Sequence, residues 1–432
     1  MELTLKIMKN KLFVFFLVLY YSNLTAQTLV GGDSAYIGAG IVTTSLSTSD
    51  DQANSMAIQT DGKIVVAGYS KTNFAIVRYL PNGLLDPAFG NGGIVVTTIR
   101  SGDDNTSALA IQSDGKIVVA GTTYVSSAND FSLIRCNTDG SLDTTFGKGG
   151  MVVTSIRNGN DFATAIVIQP DGKIIVAGSS NSGSDDDFAL IRYRNDGRVD
   201  PAFGEKGIVV TSLGNGNDRA QAAAIGAGGK IVVAGYSNSD IAVVRYNRNG
   251  TLDPTFGTGG KVVHSIRSGE DQASAICLQP DGKIVIAGSS DNGVSYDFAM
   301  VRYNASGERD PGFGKGGIVT SSIRDGDDKA FAICIQPDNK LVAAGSSNDG
   351  SFNDFALIRY NSNGTPDASF GKNGIVITSI SAGDDHASAA SVQPDGKIIA
   401  AGNSNNGVTN DFAIVRYNGN GSFDKQFGKG NK

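Results

Sequence analysis

The sequence has no tryptophan and only two histidines, His264 and His386, which lie in different copies of a repeating pattern. A Ser-His-Asp site or a histidine-rich metal site therefore has little to draw on, and we expect both imidazoles to be incidental. The three cysteines are an odd number, which does not suit a disulfide framework. Cys277 and Cys334 occupy the same position of adjacent copies, which favours two buried thiols but leaves a bridge open.

The sequence also has few residues that favour helices, and its net charge is negative. Methionine occurs five times, whereas 57 glycines and abundant valine, isoleucine, threonine, serine and asparagine favour short strands joined by tight turns. We therefore expect almost no helix. The formal net charge of −6 makes nucleic acid a poor partner.

The longest hydrophobic run is near the N-terminus. Lys9 and Lys11 precede an apolar run over residues 12–21, and small polar residues follow as far as Ala26. This is the order of a secretory signal, and the run is too short to span a bilayer. We expect residues 1–26 to be a signal peptide, residues 27–432 to be a single domain, and the protein to be secreted, periplasmic or on the cell surface, without a membrane span.

A repeat of 57 residues fills the chain after this segment. The pair Phe-Gly recurs seven times with that spacing, except for one gap of 53. The recurring phenylalanines are Phe89, Phe146, Phe203, Phe256, Phe313, Phe370 and Phe427. Copies one and four are shorter than the others in one loop only.

Each copy predicts four strands, which we call a, b, c and d in chain order. In the third copy they are "ATAIVIQ", "KIIVAGSS", "FALIRYR" and "GIVVTSL". Strand b is apolar at consecutive positions, so both of its faces should be covered, as they are when a blade packs between two others. Seven such units predict an all-β, seven-bladed β-propeller of four-stranded antiparallel blades.

The two ends of the repeat region complement each other. A strand d at residues 38–46 has no a, b or c before it, and the last copy stops after strand c. We therefore predict that residues 41–46 complete the last blade and close the ring, which removes the exposed edges of an open array. A closed ring is expected to be a monomer.

The motifs "QPDGKIIVAG", "DFAIVRYN", "LDPTFG" and "GIVVTSL" resemble the delta-60 repeats, bacterial propeller-forming repeats of unknown function. The resemblance covers essentially everything after residue 26 and implies a propeller in an exported bacterial protein. It brings no catalytic residues. The chain departs from the pattern at residues 226–230 and at Cys136, where the other copies have tyrosine.

Every strand c carries an arginine, and every following turn carries an aspartate. A buried guanidinium needs a carboxylate partner, so we predict seven structural ion pairs in preference to a ligand-binding basic ring. The arginines are Arg78, Arg135, Arg192, Arg245, Arg302, Arg359 and Arg416, and the aspartates are Asp86, Asp143, Asp200, Asp253, Asp310, Asp367 and Asp424.

One end of the ring should carry both the starts of strands a and the variable loops between strands b and c. This irregular end is the expected ligand face, with Tyr124, Tyr296 and Phe352 as exposed candidates on a rigid scaffold.

One aspartate opens every strand a at this end. Either it caps its own turn by accepting backbone N–H groups, which we favour, or the ring of carboxylates offers oxygen ligands to Ca²⁺. The seven are Asp51, Asp104, Asp161, Asp218, Asp271, Asp328 and Asp385. No cofactor is expected; any weak Ca²⁺ binding would come from the acidic residue before each of them and from loop residues such as Asp185 and Asp186.

Two classes of function fit the sequence. Near-identical blades with no catalytic residue favour an exported, non-catalytic binding or scaffold module for a protein or glycan. The alternative is an exported hydrolase or lyase that acts on polysaccharide, since paired acids can perform glycosidic chemistry.

Overall fold

The structure is a computed structural model that describes residues 37–38, 40–100 and 102–429. Within these residues the chain forms a seven-bladed β-propeller of four-stranded antiparallel sheets, which confirms the predicted fold class. The helix content of this part of the chain is one 3-10 turn, Ala227–Gly229. The predicted signal peptide, residues 1–26, lies outside the described residues.

The strands follow the same order, a to d, in every blade. Strands a, nearest the axis, are β3 (Asp51–Ile58), β7 (Asp104–Ile111), β11 (Asp161–Ile168), β15 (Asp218–Ile225), β19 (Asp271–Leu278), β23 (Asp328–Ile335) and β27 (Asp385–Val392). Strands b are β4 (Ile64–Ser70), β8 (Ile117–Val125), β12 (Ile174–Asn181), β16 (Ile231–Ser237), β20 (Ile284–Asp291), β24 (Leu341–Asn348) and β28 (Ile398–Asn405). Strands c are β5 (Asn73–Tyr79), β9 (Ala128–Cys136), β13 (Asp186–Tyr193), β17 (Asp240–Tyr246), β21 (Tyr296–Tyr303), β25 (Asn353–Tyr360) and β29 (Asn410–Tyr417). Strands d are β6 (Ile94–Thr97), β10 (Met151–Thr154), β14 (Ile208–Thr211), β18 (Lys261–His264), β22 (Ile318–Ser321), β26 (Ile375–Thr378) and β2 (Ile41–Thr44), and β1 (Ile37–Gly38) pairs with β2.

The antiparallel order divides the connections between two faces of the ring. The d-to-a turns and b-to-c loops lie on one face, called the loop face. The a-to-b and c-to-d turns lie on the other, called the turn face. The apolar core lies between neighbouring blades, and strand b is buried along its length, as residues 64–67 of β4 illustrate.

A β-bulge interrupts strand a at the same point in every blade. In β3 the pairing with β4 shifts between Ala53 and Ser55, so Asn54 has no partner across the sheet. The backbone approaches closely here: a Cβ added to Gly68 would lie 1.8 Å from the carbonyl oxygen of Gln52. The glycine that ends "KIVVAG" is therefore required by the bulge, and the bulge redirects one side chain per blade.

An arginine clamp joins each blade to the next on the turn face. In blade 2, Arg135 Nε donates to Asp143 Oδ2 at 2.8 Å, Nη1 donates to the Asn195 carbonyl of blade 3 at 2.5 Å, and Cζ lies 4.4 Å from the centre of the Phe146 ring. Lys116 Nζ also donates to Asp143 Oδ2 at 2.8 Å. One guanidinium thus holds its own turn, an aromatic ring and the neighbouring blade.

All seven arginines make these contacts. The arginine–aspartate distances are 2.6–2.9 Å, and Nε is the nearest nitrogen except in blade 7, where Nη2 of Arg416 forms the ion pair. Burial alone would raise the pKa of Asp143, but hydrogen bonds from Lys116 and Thr145 and the charge of Arg135 outweigh it and hold that pKa below its ordinary value. The carboxylate is therefore ionised at neutral pH, as the clamp requires.

A glycine in each c-to-d turn lets the next blade come close. Gly140 has φ +88°, and a Cβ there would lie 2.7 Å from Gly90 N and 3.0 Å from the Phe89 ring of the preceding blade. Gly90 N donates to the Asp139 carbonyl at 2.7 Å beside it. A side chain at this glycine would therefore strain the turn and push two blades apart.

The ring closes between blade 7 and blade 1, as predicted. Strand β2 pairs with β29 through Ile41–Val415 to Thr44–Phe412. The clamp is complete across this junction as well, because Arg416 Nη1 donates to the Pro81 carbonyl at 2.6 Å and Gly428 N donates to the Asn82 carbonyl at 2.7 Å.

Val42→Asp should open the ring. Val42 is 3% exposed and packs in the cluster between blades 7 and 1, so its replacement buries an unpaired carboxylate and should cost several kcal/mol in the free energy of unfolding. Val96→Asp is the matched control, because Val96 lies in the strand d of blade 1 but is 48% exposed; its effect should stay within about 0.5 kcal/mol. Urea unfolding and light scattering measure both. Equal stability of the two variants would contradict closure by β2.

The two charges of one clamp should be energetically coupled. We expect Asp200→Ala to lower the free energy of unfolding by about 3 to 5 kcal/mol, because it leaves the buried guanidinium of Arg192 without a carboxylate. Arg192→Ala should cost less, because Lys173 Nζ, 3.0 Å from Asp200 Oδ2, still pairs with that carboxylate. The double variant should lose less than the sum. The exposed pair Arg198 and Asp196, 3.7 Å apart, supplies the control cycle, with about 0 to 1 kcal/mol expected. Additive losses at Arg192 and Asp200 would show that the two side chains act independently.

Candidate functional site

The aspartate that opens each strand a lies beneath the loop face and not on its surface. All seven are at most 1% exposed. Asp51 Oδ2 accepts the N–H groups of Leu46 at 2.7 Å and Ser47 at 3.1 Å, and the other copies bind the same turn. Each carboxylate caps its own turn, which confirms the role that we favoured, and the alternative, in which these aspartates offer their oxygens as ligands on the loop face, is corrected.

The residue before this aspartate links adjacent blades. Asp50 Oδ1 accepts the N–H of Asn410 at 2.9 Å across the ring junction, and Asp384 Oδ1 accepts that of Asn353 at 2.8 Å. Where the b-to-c loop is short, a backbone bond replaces this contact, as from Asp104 N to the Thr72 carbonyl at 3.0 Å. The carboxylates of Asp50, Asp327 and Asp384 are therefore already used by the interfaces.

The two loop aspartates differ in their surroundings. Asp186 is buried, and its Oδ2 accepts a hydrogen bond from Arg219 Nε at 2.7 Å. A carboxylate with this partner is not free to bind a cation, which corrects its place among the metal candidates. Asp185 is half-buried in the loop that precedes β13. Among the described residues, no group of three or more His, Cys, Asp or Glu side chains is placed to hold a metal ion.

The three aromatic candidates lie on b-to-c loops or at their ends. Tyr124 and Phe352 are 44% and 48% exposed. Tyr296 is half-buried, because its hydroxyl donates to Glu270 Oε2 at 2.7 Å and Lys329 Nζ lies 4.2 Å from its ring centre. The structure does not bring the three together, since they belong to blades 2, 5 and 6. The predicted arginine–aspartate pairs lie on the opposite, turn face.

The two histidines have different surroundings. His264 ends β18, and its Nδ1 lies 2.9 Å from the hydroxyl of Tyr303 in blade 5. Other blades have a Thr or Ser hydroxyl in this place, as in the bond from Tyr246 to Thr211, so His264 belongs to a blade interface. His386 instead faces the axis of the ring.

The cysteines are unbridged. Cys136, Cys277 and Cys334 are all free thiols. Burial raises the pKa of each to about 12, which leaves the thiol protonated and unreactive at neutral pH.

The seven bulge residues meet around the axis of the propeller. They line a cavity of about 590 Å³ to which every blade contributes. These residues, called the bulge set, are Asn54, Ser107, Thr164, Gln221, Ser274, Phe331 and Ser388. The volume falls in the range of small-molecule sites, and the bulges explain why the side chains converge.

A second ring of residues lies nearer the loop face. It consists of the residues that directly follow the capping aspartates, and we call it the rim set: Gln52, Asn105, Phe162, Arg219, Gln272, Lys329 and His386. Gln52, Gln272 and His386 line the cavity itself, together with Tyr236 and Asn403 from strands b.

Aromatic and ionisable groups of the channel lie mainly in blades 4, 6 and 7. The Phe331 ring meets the His386 ring edge to face at 6.4 Å. Burial, with a contribution from the charge of Lys329, lowers the pKa of His386, so its imidazole is neutral at pH 7. The channel thus combines one neutral imidazole with amides, hydroxyls and aromatic rings.

Sequence reasoning missed this site, although a signal was present. The copies agree almost completely in strands b and c and at the capping aspartate, but the rim set has six residue types in seven copies. The bulge set has five. Variation two positions apart in strand a, next to an unvarying aspartate, marks the residues that face the axis.

The comparisons with known proteins agree on the architecture. The family model described as "Domain of unknown function (DUF5122) beta-propeller" matches seven segments, which together span more than half of the chain. They are residues 59–89, 112–146, 169–203, 229–256, 279–313, 336–370 and 393–427. No curated protein matches the sequence.

Solved structures show the same fold at low identity. A catalytically inactive virginiamycin B lyase from Staphylococcus aureus, solved with quinupristin, is 14% identical, with a TM-score of 0.52 over 87% of this chain and 98% of that one. The selenomethionine form of that lyase gives 13% identity and a TM-score of 0.50 over the same shares. A periplasmic gluconolactonase from Pseudomonas aeruginosa gives 14% identity and 0.49 over 76% and 88%.

No helix in the part of the chain that the structure describes is both long and apolar enough to cross a membrane.

The capping role of the recurring aspartates can be tested at Asp328. Its Oδ2 accepts two backbone N–H groups, and burial raises its pKa, so the negative charge itself is not favoured there. Asp328→Asn keeps an acceptor oxygen and should cost at most about 1 kcal/mol in urea unfolding at pH 7, whereas Asp328→Ala should cost about 1 to 3 kcal/mol. If Asn proves as harmful as Ala, the charge and not the cap is what the position requires.

Proposed function

The chain belongs to the DUF5122 β-propeller family, and we propose that it is a non-catalytic binding module whose ligand enters the central channel from the loop face. The observation that carries this proposal is the distribution of differences among the copies. Clamp arginines, clamp aspartates and capping aspartates are the same in all seven blades, whereas the residues that face the axis differ.

Differences among the blades at the axis favour recognition there. A purely structural channel could be lined by the same side chain in every blade, just as every clamp uses the same arginine and aspartate. The bulge set instead places Gln221 in blade 4, Phe331 in blade 6 and serine in three others. Different chemistry at different points of a rigid ring can match a ligand that has no sevenfold symmetry.

The surrounding scaffold is suited to this role. Every interface between blades has hydrogen bonds on both faces, so the ring holds the channel residues in fixed positions. A preformed site of this kind binds without a large ordering cost.

We further propose that the protein acts after export, as the N-terminal sequence indicates. We also propose that the repeats are of the delta-60 type and that the protein is a monomer. Any weak Ca²⁺ binding at the loop face would use Asp185 and the exposed Asp103.

The enzymatic alternative has one observation in its favour. His386 is a neutral imidazole that faces the cavity, and such a group can serve as a general base, for example in a lyase reaction. A glycosidase with two acids has less support, because the residues that line the cavity in the described structure include no carboxylate.

Filling the channel should abolish binding. Wild-type protein and Ser274→Trp are titrated calorimetrically with neutral oligosaccharides, uronic-acid oligosaccharides and short peptides. At least one class should bind the wild type and not Ser274→Trp, because the indole occupies the cavity. Ser113→Trp, on an exposed a-to-b turn of the turn face, is the matched control and should bind as the wild type does.

Three results would overturn parts of this proposal. No binding from any class, or equal binding by Ser274→Trp, would remove the channel as the site. Products that form from a bound oligosaccharide, and that are lost in His386→Ala, would replace the binding module with the enzyme.

A further inference from the structure

We infer that the channel binds a neutral, polyhydroxylated ligand, such as an uncharged oligosaccharide end or segment. This inference rests on the proposed function and adds the class of ligand. Three properties of the channel lead to it: its amides and hydroxyls, its aromatic faces, and the pairing of its charges.

The lining offers mostly groups that both donate and accept hydrogen bonds. Asn54 and Gln221 come from the bulge set, Gln272 from the rim set and Asn403 from strand b of blade 7. Each amide has two N–H donors and a carbonyl acceptor, and the serine hydroxyls of the bulge set can both donate and accept as well. A sugar hydroxyl also both donates and accepts hydrogen bonds, so the amides and hydroxyls that surround the channel can bind several sugar hydroxyls at once.

Aromatic side chains supply the apolar part of the site. Phe331 reaches the cavity from the bulge of blade 6, and Tyr236 from strand b of blade 4. A pyranose ring presents C–H groups on its faces and hydroxyls around its edge, so it can contact an aromatic face while its hydroxyls meet amides.

The basic residues of the rim set carry no free charge for a ligand. Arg219 Nε donates to Asp186 Oδ2 at 2.7 Å, and Lys329 Nζ lies 3.3 Å from Asp327 Oδ2. His386 is neutral at pH 7, since burial lowers its pKa. A charged ligand would lose its hydration without gaining an unpaired counter-charge, which is unfavourable. A neutral ligand needs no counter-charge, so the pairing of Arg219 and Lys329 with aspartates does not weaken its binding.

The ligand class can be tested with matched neutral and acidic sugars. Calorimetric titration at pH 7 compares neutral hexasaccharides with uronic-acid hexasaccharides of the same linkage, each at about 20 and about 200 mM NaCl. The neutral sugar should bind, with a Kd that changes less than about twofold between the two salt concentrations. The acidic sugar should bind at least about tenfold more weakly.

Two variants test the residues that carry the inference. Phe331→Ala removes the aromatic face and Gln221→Leu removes an amide of similar size; each should raise the Kd for the neutral sugar by about tenfold or more. Phe352→Ala is the matched control, because this phenylalanine is exposed on a b-to-c loop of the same blade as Phe331. It should bind within about twofold of the wild type. Thermal unfolding of each variant shows whether the ring is intact.

The outcomes separate the two proposals. If the acidic sugar binds more tightly than the neutral one, weakens steeply with salt and is excluded by Ser274→Trp, the ligand class is wrong and the channel remains the site. The same holds if only a peptide binds there. If the neutral sugar binds Ser274→Trp as well as it binds the wild type, both the channel site and its assigned ligand fail.

Discussion

The guanidinium of strand c is the group on which the ring most depends. It contacts an aspartate of its own blade, the face of a buried phenylalanine and a carbonyl of the next blade, so it connects the interior of one repeat to the surface of another. Burying seven arginines is costly unless each is paired, and each is. The lysine of the a-to-b turn adds a second cation to the same aspartate, which extends the network to a third segment of every blade.

This network separates the parts of the protein that must stay constant from those that can change. The clamps lie on the turn face, whereas the capping aspartates and the links between blades lie on the loop face. The bulge residues lie between these layers and contribute little to either. Asn54 and Thr164 do bond to carbonyls of the next strand a, but five other bulge positions show that the ring tolerates other side chains there. Strand a thus begins with a constant capping aspartate and varies at its rim and bulge positions.

Much of this fold could be predicted from the sequence, because the same four-strand pattern occurs in seven copies. The spacing of Phe-Gly gave the number of blades, the consecutive apolar residues of strand b gave its burial, and the unmatched strand d gave the closure, which the pairing of β2 with β29 confirms. The carbonyl that each arginine meets in the next blade could not be predicted, because it depends on how blades stack. The bulge could not be predicted either, because only the one-residue shift in pairing shows that Gln221 and Phe331 turn towards the axis. The site followed from that shift, so it was missed.

The pairing of β2 also determines how many blades the ring has. The seven strands c are almost identical in sequence, so β2 could by its own sequence pair with any of them, and a ring with fewer blades would result. Among the residues that the structure describes, six of them pair with the strand d that follows them, which leaves β29 for β2. The correct partner is thus selected by the order of the chain and not by a distinctive sequence. The partner of β2 lies more than 360 residues away along the chain, so this pairing closes a far longer loop than any pairing within the other six blades.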